Sequence, residues 1–216
     1  MQLAYRKPKA FLQFMIHKVL FLLVSLVVTS IISAHEIEGS EVTGANLKKP
    51  EFYKNFGGDF SLTGPDGKII SLEDFRDKLV LVYFGYTFCP DVCPITLSKL
   101  KLIMLDLNEK AEDVQVIFIS IDPERDSYKR LKDYVPYFHP TFIGLTGSEA
   151  DIAAVAKKYQ TIYIKQKVES EAGYLMAHTD VVILVDQNGK YRGRYKSKFD
   201  MGKLTKDINR LLEKGS

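Results

Sequence analysis

The chain reads as an α/β fold, a central mixed sheet with helices on both faces, behind an N-terminal hydrophobic segment. Three observations predict it. Leu79-Val80-Leu81-Val82-Tyr83-Phe84 and the run from Val114 to Ile121 are almost wholly apolar, as strands covered on both faces should be. Stretches with apolar residues at helical spacing separate the strand runs. The chain then closes on a hairpin and an amphipathic helix, completing the alternation of an α/β sheet.

The first 34 residues hold Arg6, Lys7, Lys9 and Lys18 and no acid, and lead into the apolar stretch Val19 to Ile32, whose polar members are small hydroxyl residues. A basic region before a short apolar core is how an export signal reads. Ile32-Ser33-Ala34 is a fair cleavage site, yet extending the apolar region back through Phe11 brings it towards the roughly 20 residues of a spanning helix. Residues 1–34 are therefore expected to be a signal or, as the favoured reading, an uncleaved signal-anchor. Residues 35–52 are polar and carry Gly39, Gly44 and Pro50, which suits a tether, and 53–216 remain as one domain. With the leader's four basic residues set aside, 26 basic side chains face 27 acidic ones. That balance indicates no basic face for nucleic acid.

Phe60 to Thr63 and Lys68 to Ser71 flank Gly64-Pro65-Asp66-Gly67, a turn signal between two short strands. Leu79 to Phe84 is the first long strand. Ile95 to Lys110, apolar at 97, 100, 103, 104 and 107, is a helix. Val114 to Ile121 is the second buried strand, followed by Asp122-Pro123-Glu124-Arg125-Asp126 and a helix from Ser127 to Tyr134. Ser148 to Tyr159 opens on a capping Ser and is a further helix. Thr161 to Ile164, a polar insert over Lys165 to Gly173, and the strand Val181 to Val185 come next. Asp186-Gln187-Asn188-Gly189 turns that strand into Tyr191 to Tyr195, and a last helix covers Asp200 to Glu213.

The chain has two cysteines, Cys89 and Cys93, in Phe88-Cys89-Pro90-Asp91-Val92-Cys93-Pro94, straight after the first long strand. Open α/β sheets place their sites at the carboxyl ends of strands. With its dithiol there, the layout resembles the thioredoxin superfamily. Pro94 suits the first turn of the next helix, so both cysteines lie at a helix amino terminus, where thiolates are stabilised. Both sulfurs are expected to be thiolates near neutral pH. Two soft thiolates select Cu(I), with zinc and iron–sulfur chemistry as rivals, and the pair needs a further ligand.

Of the four histidines, His17 and His35 belong to the leader and its margin, and His139 reads as a surface or packed residue. His178, in Met176-Ala177-His178-Thr179-Asp180, precedes the strand Val181 to Val185. Thioredoxin-type oxidoreductases set a proline in that loop against their dithiol, but this chain has none after Pro140. His178 stands in the slot instead, and imidazole suits copper.

Gly85-Tyr86-Thr87-Phe88-Cys89-Pro90-Asp91-Val92-Cys93-Pro94, Ser120-Ile121-Asp122-Pro123-Glu124-Arg125-Asp126, Gly144-Leu145-Thr146-Gly147 and His178-Thr179 together make the segment from Phe60 to Gly189 resemble the Sco/SenC family. These are copper-binding assembly factors for cytochrome c oxidase. The resemblance implies a thioredoxin-like domain with Cys89, Cys93 and His178 as ligands of Cu(I), with Cu(II) as a second state. It implies delivery to the copper-bearing subunit of cytochrome c oxidase, an upstream copper donor, and an inner-membrane anchor with the domain in the periplasm; the mitochondrial intermembrane space, or a cleaved periplasmic form, is the alternative. Asp122 either orients the site or its docking partner, or caps the following helix, as Asp126 also could. Tyr86 and Phe88 are expected beside the sulfurs, with a docking role as the alternative. Asp180 sets a charge at the strand entrance.

A thiol–disulfide oxidoreductase acting on the oxidase's cysteines is the rival function, since it needs only Cys89 and Cys93. A thiol peroxidase fits poorly, because Thr87-Phe88-Cys89 is not Thr-x-x-Cys and the chain has no tryptophan. An inert Cys89–Cys93 disulfide would close too short a loop to stabilise much.

Overall fold

Strand pairing follows from the hydrophobic runs. The computed structural model describes residues 56–169, 173–196 and 198–215. The expected leader and tether lie outside them. Among the described residues no helix is long and apolar enough to cross a membrane. β1 (Ser61–Thr63) and β2 (Ile69–Ser71) form the antiparallel hairpin expected around Pro65-Asp66-Gly67. β3 (Leu79–Gly85), β4 (Val114–Ser120) and β5 (Ile143–Leu145) are parallel neighbours.

β6 (Tyr163–Lys167) and β7 (Tyr174–His178) pair with each other in a separate two-stranded sheet. β8 (Val181–Val185) and β9 (Tyr191–Lys196) return to the main sheet antiparallel, giving the order β5-β4-β3-β8-β9. Every residue of β3, β4 and β8 is buried. Successive strand residues point to opposite faces, so both faces of this mixed sheet are covered, as a thioredoxin-like fold requires. Leu81 is fully buried, and truncating it to Ala should cost about 2–5 kcal/mol.

Among the described residues, four α-helices complete the layers. α1 (Val92–Leu107) begins three residues before the expected Ile95, because Pro94 fits a first turn that needs no N–H from it. Its buried stripe, Cys93, Leu97, Leu100, Met104 and Leu107, repeats every three or four residues, and Asn108 at φ 51° ends it. α2 (Tyr128–Tyr134) is capped by Ser127, whose hydroxyl accepts the Arg130 N–H. α3 (Glu149–Lys158) opens on a Ser148/Asp151 capping box. α4 (Met201–Gly215) buries Leu204, Ile208 and Leu212.

Register brings three loops to one edge. Gly85 at the end of β3 lies beside Ser120 at the end of β4, and Tyr83 lies beside Val182 at the start of antiparallel β8. The cysteine loop, the Asp122–Asp126 loop and the approach to β8 therefore meet there.

One expectation is corrected. The polar insert over Lys165 to Gly173 is largely a β-hairpin, and His178 is the last residue of β7, paired with Tyr163, where a loop was expected. Residues 164 to 167 are all exposed, so the first strand of this hairpin has no buried face to write an apolar alternation into the sequence, and in β7 only Met176 is buried.

Candidate metal centre

The dithiol is built by close approach of backbone. A Cβ placed on Gly85 would lie 2.7 Å from a Phe118 ring carbon and 2.9 Å from Cys93 Sγ, so glycine lets the sulfur sit directly against β3. Cys89 N–H donates to the Tyr86 carbonyl oxygen at 3.3 Å, curling the loop so that Cys89 Sγ receives the Cys93 N–H at 3.5 Å. Both thiols are free and buried, with Cys93 at 0% and Cys89 at 8% exposure, so Cys89 forms the accessible edge.

His178 completes the cluster from β7. Its Nε2 lies 3.5 Å from Cys93 Sγ, and the ligand atoms of Cys89, Cys93 and His178 all fall within 4.8 Å of one another. The Thr179 carbonyl oxygen lies 3.2 Å from Nδ1 and can accept the ring hydrogen there, the tautomer that offers the Nε2 lone pair to a metal. The rings of Tyr83 and Tyr86 meet the imidazole edge-on at 6.4 and 6.1 Å. Tyr83 donates its hydroxyl to Asp180 at 2.9 Å, so the charge at the strand entrance fixes an aromatic wall of the site.

The two thiols titrate in opposite directions. A hydrogen bond from the Cys93 thiol holds Cys89 well below the ordinary thiol range; burial opposes this, while His178 and the Asp91 and Cys93 backbone N–H groups add to it. Cys93 is pushed up by donating to Cys89, by burial and by the neighbouring thiolate charge. The expectation of two thiolates therefore fails without metal. One proton is retained on the buried Cys93, and a metal bound there would displace it.

Asp122 touches none of the three ligands through the hydrogen bonds it makes. Its carboxylate accepts Arg125 Nε–H at 2.6 Å and the Tyr174 hydroxyl at 2.8 Å. Arg125 Nη1 also donates to the Tyr174 carbonyl oxygen at 3.1 Å, and its guanidinium lies 3.6 Å above the Tyr174 ring. Tyr174 opens the strand that ends at His178. Neither Asp122 nor Asp126 caps α2, a role taken by Ser127.

Asp126 is fully buried and accepts from Thr87 N–H at 2.9 Å, the Thr87 hydroxyl at 2.5 Å and the Ser120 hydroxyl at 2.7 Å. The sequence offers little sign of this anchor of the cysteine loop, since an acid directly after Pro123-Glu124-Arg125 and before Ser127 suits a helix cap equally well. Tyr86 stands beside the site as expected. Phe88 does not: it is 40% exposed, between the guanidinium groups of Arg125 and Arg130 at 4.6 and 4.3 Å. His139 lies apart, with Nδ1 2.9 Å from the Thr141 hydroxyl.

Known proteins resemble this chain over most of the described domain. The family described as SCO1/SenC matches residues 48–213. The SCO2-like protein of Rickettsia felis is 41% identical over 136 residues, 62% of this chain and 66% of the relative, so the match spans just under two thirds of that protein's length. Among solved structures, Arabidopsis thaliana ScoI with copper bound has a TM-score of 0.69 at 37% identity, over 74% of this chain and 99% of that one. BsSco, a member of the Sco family of cytochrome c oxidase assembly proteins in which a disulfide switch was identified, has a TM-score of 0.60 at 26% identity, over 74% and 95% of the two chains. On the extent of the family match, the chain belongs to the SCO1/SenC family.

Proposed function

We propose that this protein holds copper through Cys89, Cys93 and His178 and delivers it to the copper-bearing subunit of cytochrome c oxidase. The observation that carries the reading is the convergence of two sulfurs and an imidazole nitrogen within 4.8 Å. Soft sulfurs favour Cu(I), and the imidazole also accommodates Cu(II). Cys89, at the accessible edge, lets an acceptor's thiolates approach from one side. Asp122, through Arg125 and Tyr174, holds the strand that presents His178. Copper arrives from an upstream donor, and residues 1–34 anchor the domain on the periplasmic side of the inner membrane.

A thiol–disulfide oxidoreductase is the second reading, favoured by the depressed pKa of Cys89. The Cys89 thiolate would attack a partner disulfide, forming a mixed disulfide and releasing one partner thiolate. Cys93, losing its proton, would then resolve it, leaving a Cys89–Cys93 disulfide and a reduced partner.

Anaerobic Cu(I) titration of the reduced full-length protein and of His178→Ala, with ligands read by X-ray absorption, tests the first reading. The expected result is one copper per chain on two sulfurs and one nitrogen, with tight binding lost in the variant and disulfide exchange retained. Unchanged affinity and stoichiometry in the variant would sink the three-ligand site. Absence of tight copper binding beside rapid exchange would establish the oxidoreductase.

A further inference from the structure

The groove between β9 and α4 shares no residue with the metal centre. It encloses a cavity of about 700 Å³ lined by Arg192, Arg194 and Lys196 on one side and Lys203, Arg210 and Lys214 on the other. Two carboxylates, Asp200 and Asp207, share the wall. Asp207 is already engaged, accepting the Tyr195 hydroxyl at 2.7 Å and pairing with Lys203 at 2.7 Å and Arg210 at 2.8 Å. Arg192 is held by Asp186. Arg194, Lys196 and Lys214 form no ion pair among the described residues. In a chain body with nearly equal numbers of acids and bases, this is a local excess of positive charge in a concave site, the setting that draws phosphate-class anions.

The path of the chain says which anion. Phe56, where the described chain begins, packs on the Tyr191 ring at 4.3 Å and lies under the Arg194 guanidinium at 5.4 Å. The first described residue of the domain thus packs against the strand that lines the groove. We propose that the β9–α4 groove binds the phosphate groups of anionic lipid headgroups and so orients the domain on the bilayer that its leader enters. The site uses none of Cys89, Cys93 and His178, and it holds whether the dithiol carries copper or exchanges disulfides.

The test uses the full-length protein in nanodiscs of phosphatidylcholine alone or mixed with phosphatidylglycerol, reading lysine acetylation rates by mass spectrometry. Lys196, Lys203 and Lys214 are expected to react about fivefold more slowly in the anionic discs, the gain of one cation near an anionic surface. Lys132 of α2, paired with Asp66, should not change. Arg194→Glu combined with Lys196→Glu should abolish the slowing at Lys203 and Lys214. Equal rates in both discs would overturn the proposal and leave the groove to an acidic protein segment. Slowing by inorganic phosphate in neutral discs, with no effect of phosphatidylglycerol, would overturn the lipid in favour of a soluble anion. Slowing of Lys132 to the same extent would also overturn it, as mere proximity to the membrane.

Discussion

Asp126 and Thr87 stand 39 positions apart, and the buried carboxylate of the first receives both the backbone N–H and the hydroxyl of the second. Asp126 also takes the Ser120 hydroxyl from the end of β4. One anion therefore ties the loop that carries Cys89 to the neighbouring strand, while Arg130 Nε donates to the Thr87 hydroxyl at 2.6 Å from outside. The dithiol's placement rests on this network as much as on α1.

Asp126→Ala should destabilise the domain by about 3 kcal/mol, because it leaves buried donors on Thr87 and Ser120 without an acceptor. Asp126→Asn, which keeps one oxygen and the volume, should lose about half as much. Chemical denaturation of the metal-free protein measures both. Equal stability of Asp126→Ala and the parent would show that the network does not secure the loop.

The sequence made the dithiol, the buried strands and two Ser-capped helices legible because each is written locally, in a run, a period or a Ser cap. The β6–β7 hairpin was illegible for a physical reason. Its outer strand has no buried face, and it is held by distant partners, Tyr174 with Asp122 and Lys165 with Glu124. His178 could be singled out by type and position, but its setting at a strand end depends on that hairpin. Asp126 was visible as a residue and not as an anchor, since its partners Thr87 and Ser120 become neighbours only when β3 and β4 pair.

Alkylation of Cys89 should report its depressed pKa. Its thiolate persists as pH falls below the ordinary thiol value near 8.5, so the iodoacetamide rate should hold well into the acid range and drop only when the lowered pKa is crossed. Cys93→Ala removes the largest cause of that lowering and should move the rise in rate to higher pH. His178→Ala should move it the same way by less. A profile unchanged in Cys93→Ala would mean that the two thiols do not share a proton.

Gly85→Ala places a methyl group where Phe118 and Cys93 Sγ already lie at 2.7 and 2.9 Å. Both neighbours are fully buried, and overpacking of this kind costs about 1–3 kcal/mol. Relief by moving Cys93 would disturb its 3.5 Å approach to His178 Nε2. Denaturation and copper titration should therefore show loss of stability and of metal affinity together. Lower stability with unchanged affinity would place the adjustment on the Phe118 ring instead.

Arg125→Lys separates charge from geometry at the entrance to β7. The guanidinium donates from Nε to Asp122 and from Nη1 to the Tyr174 carbonyl oxygen while stacking on the Tyr174 ring, a combination an ammonium cannot reproduce. If that clamp presents His178 through the strand it opens, the substitution should weaken copper binding by about tenfold, within the range found for groups that orient ligands. Competition against a Cu(I) chelator measures the loss. Disulfide exchange, which needs only Cys89 and Cys93, should remain close to the parent rate. Equal loss of both activities would instead mean that Arg125 supports the whole edge of the sheet, through Phe88 and the cysteine loop as well as through β7.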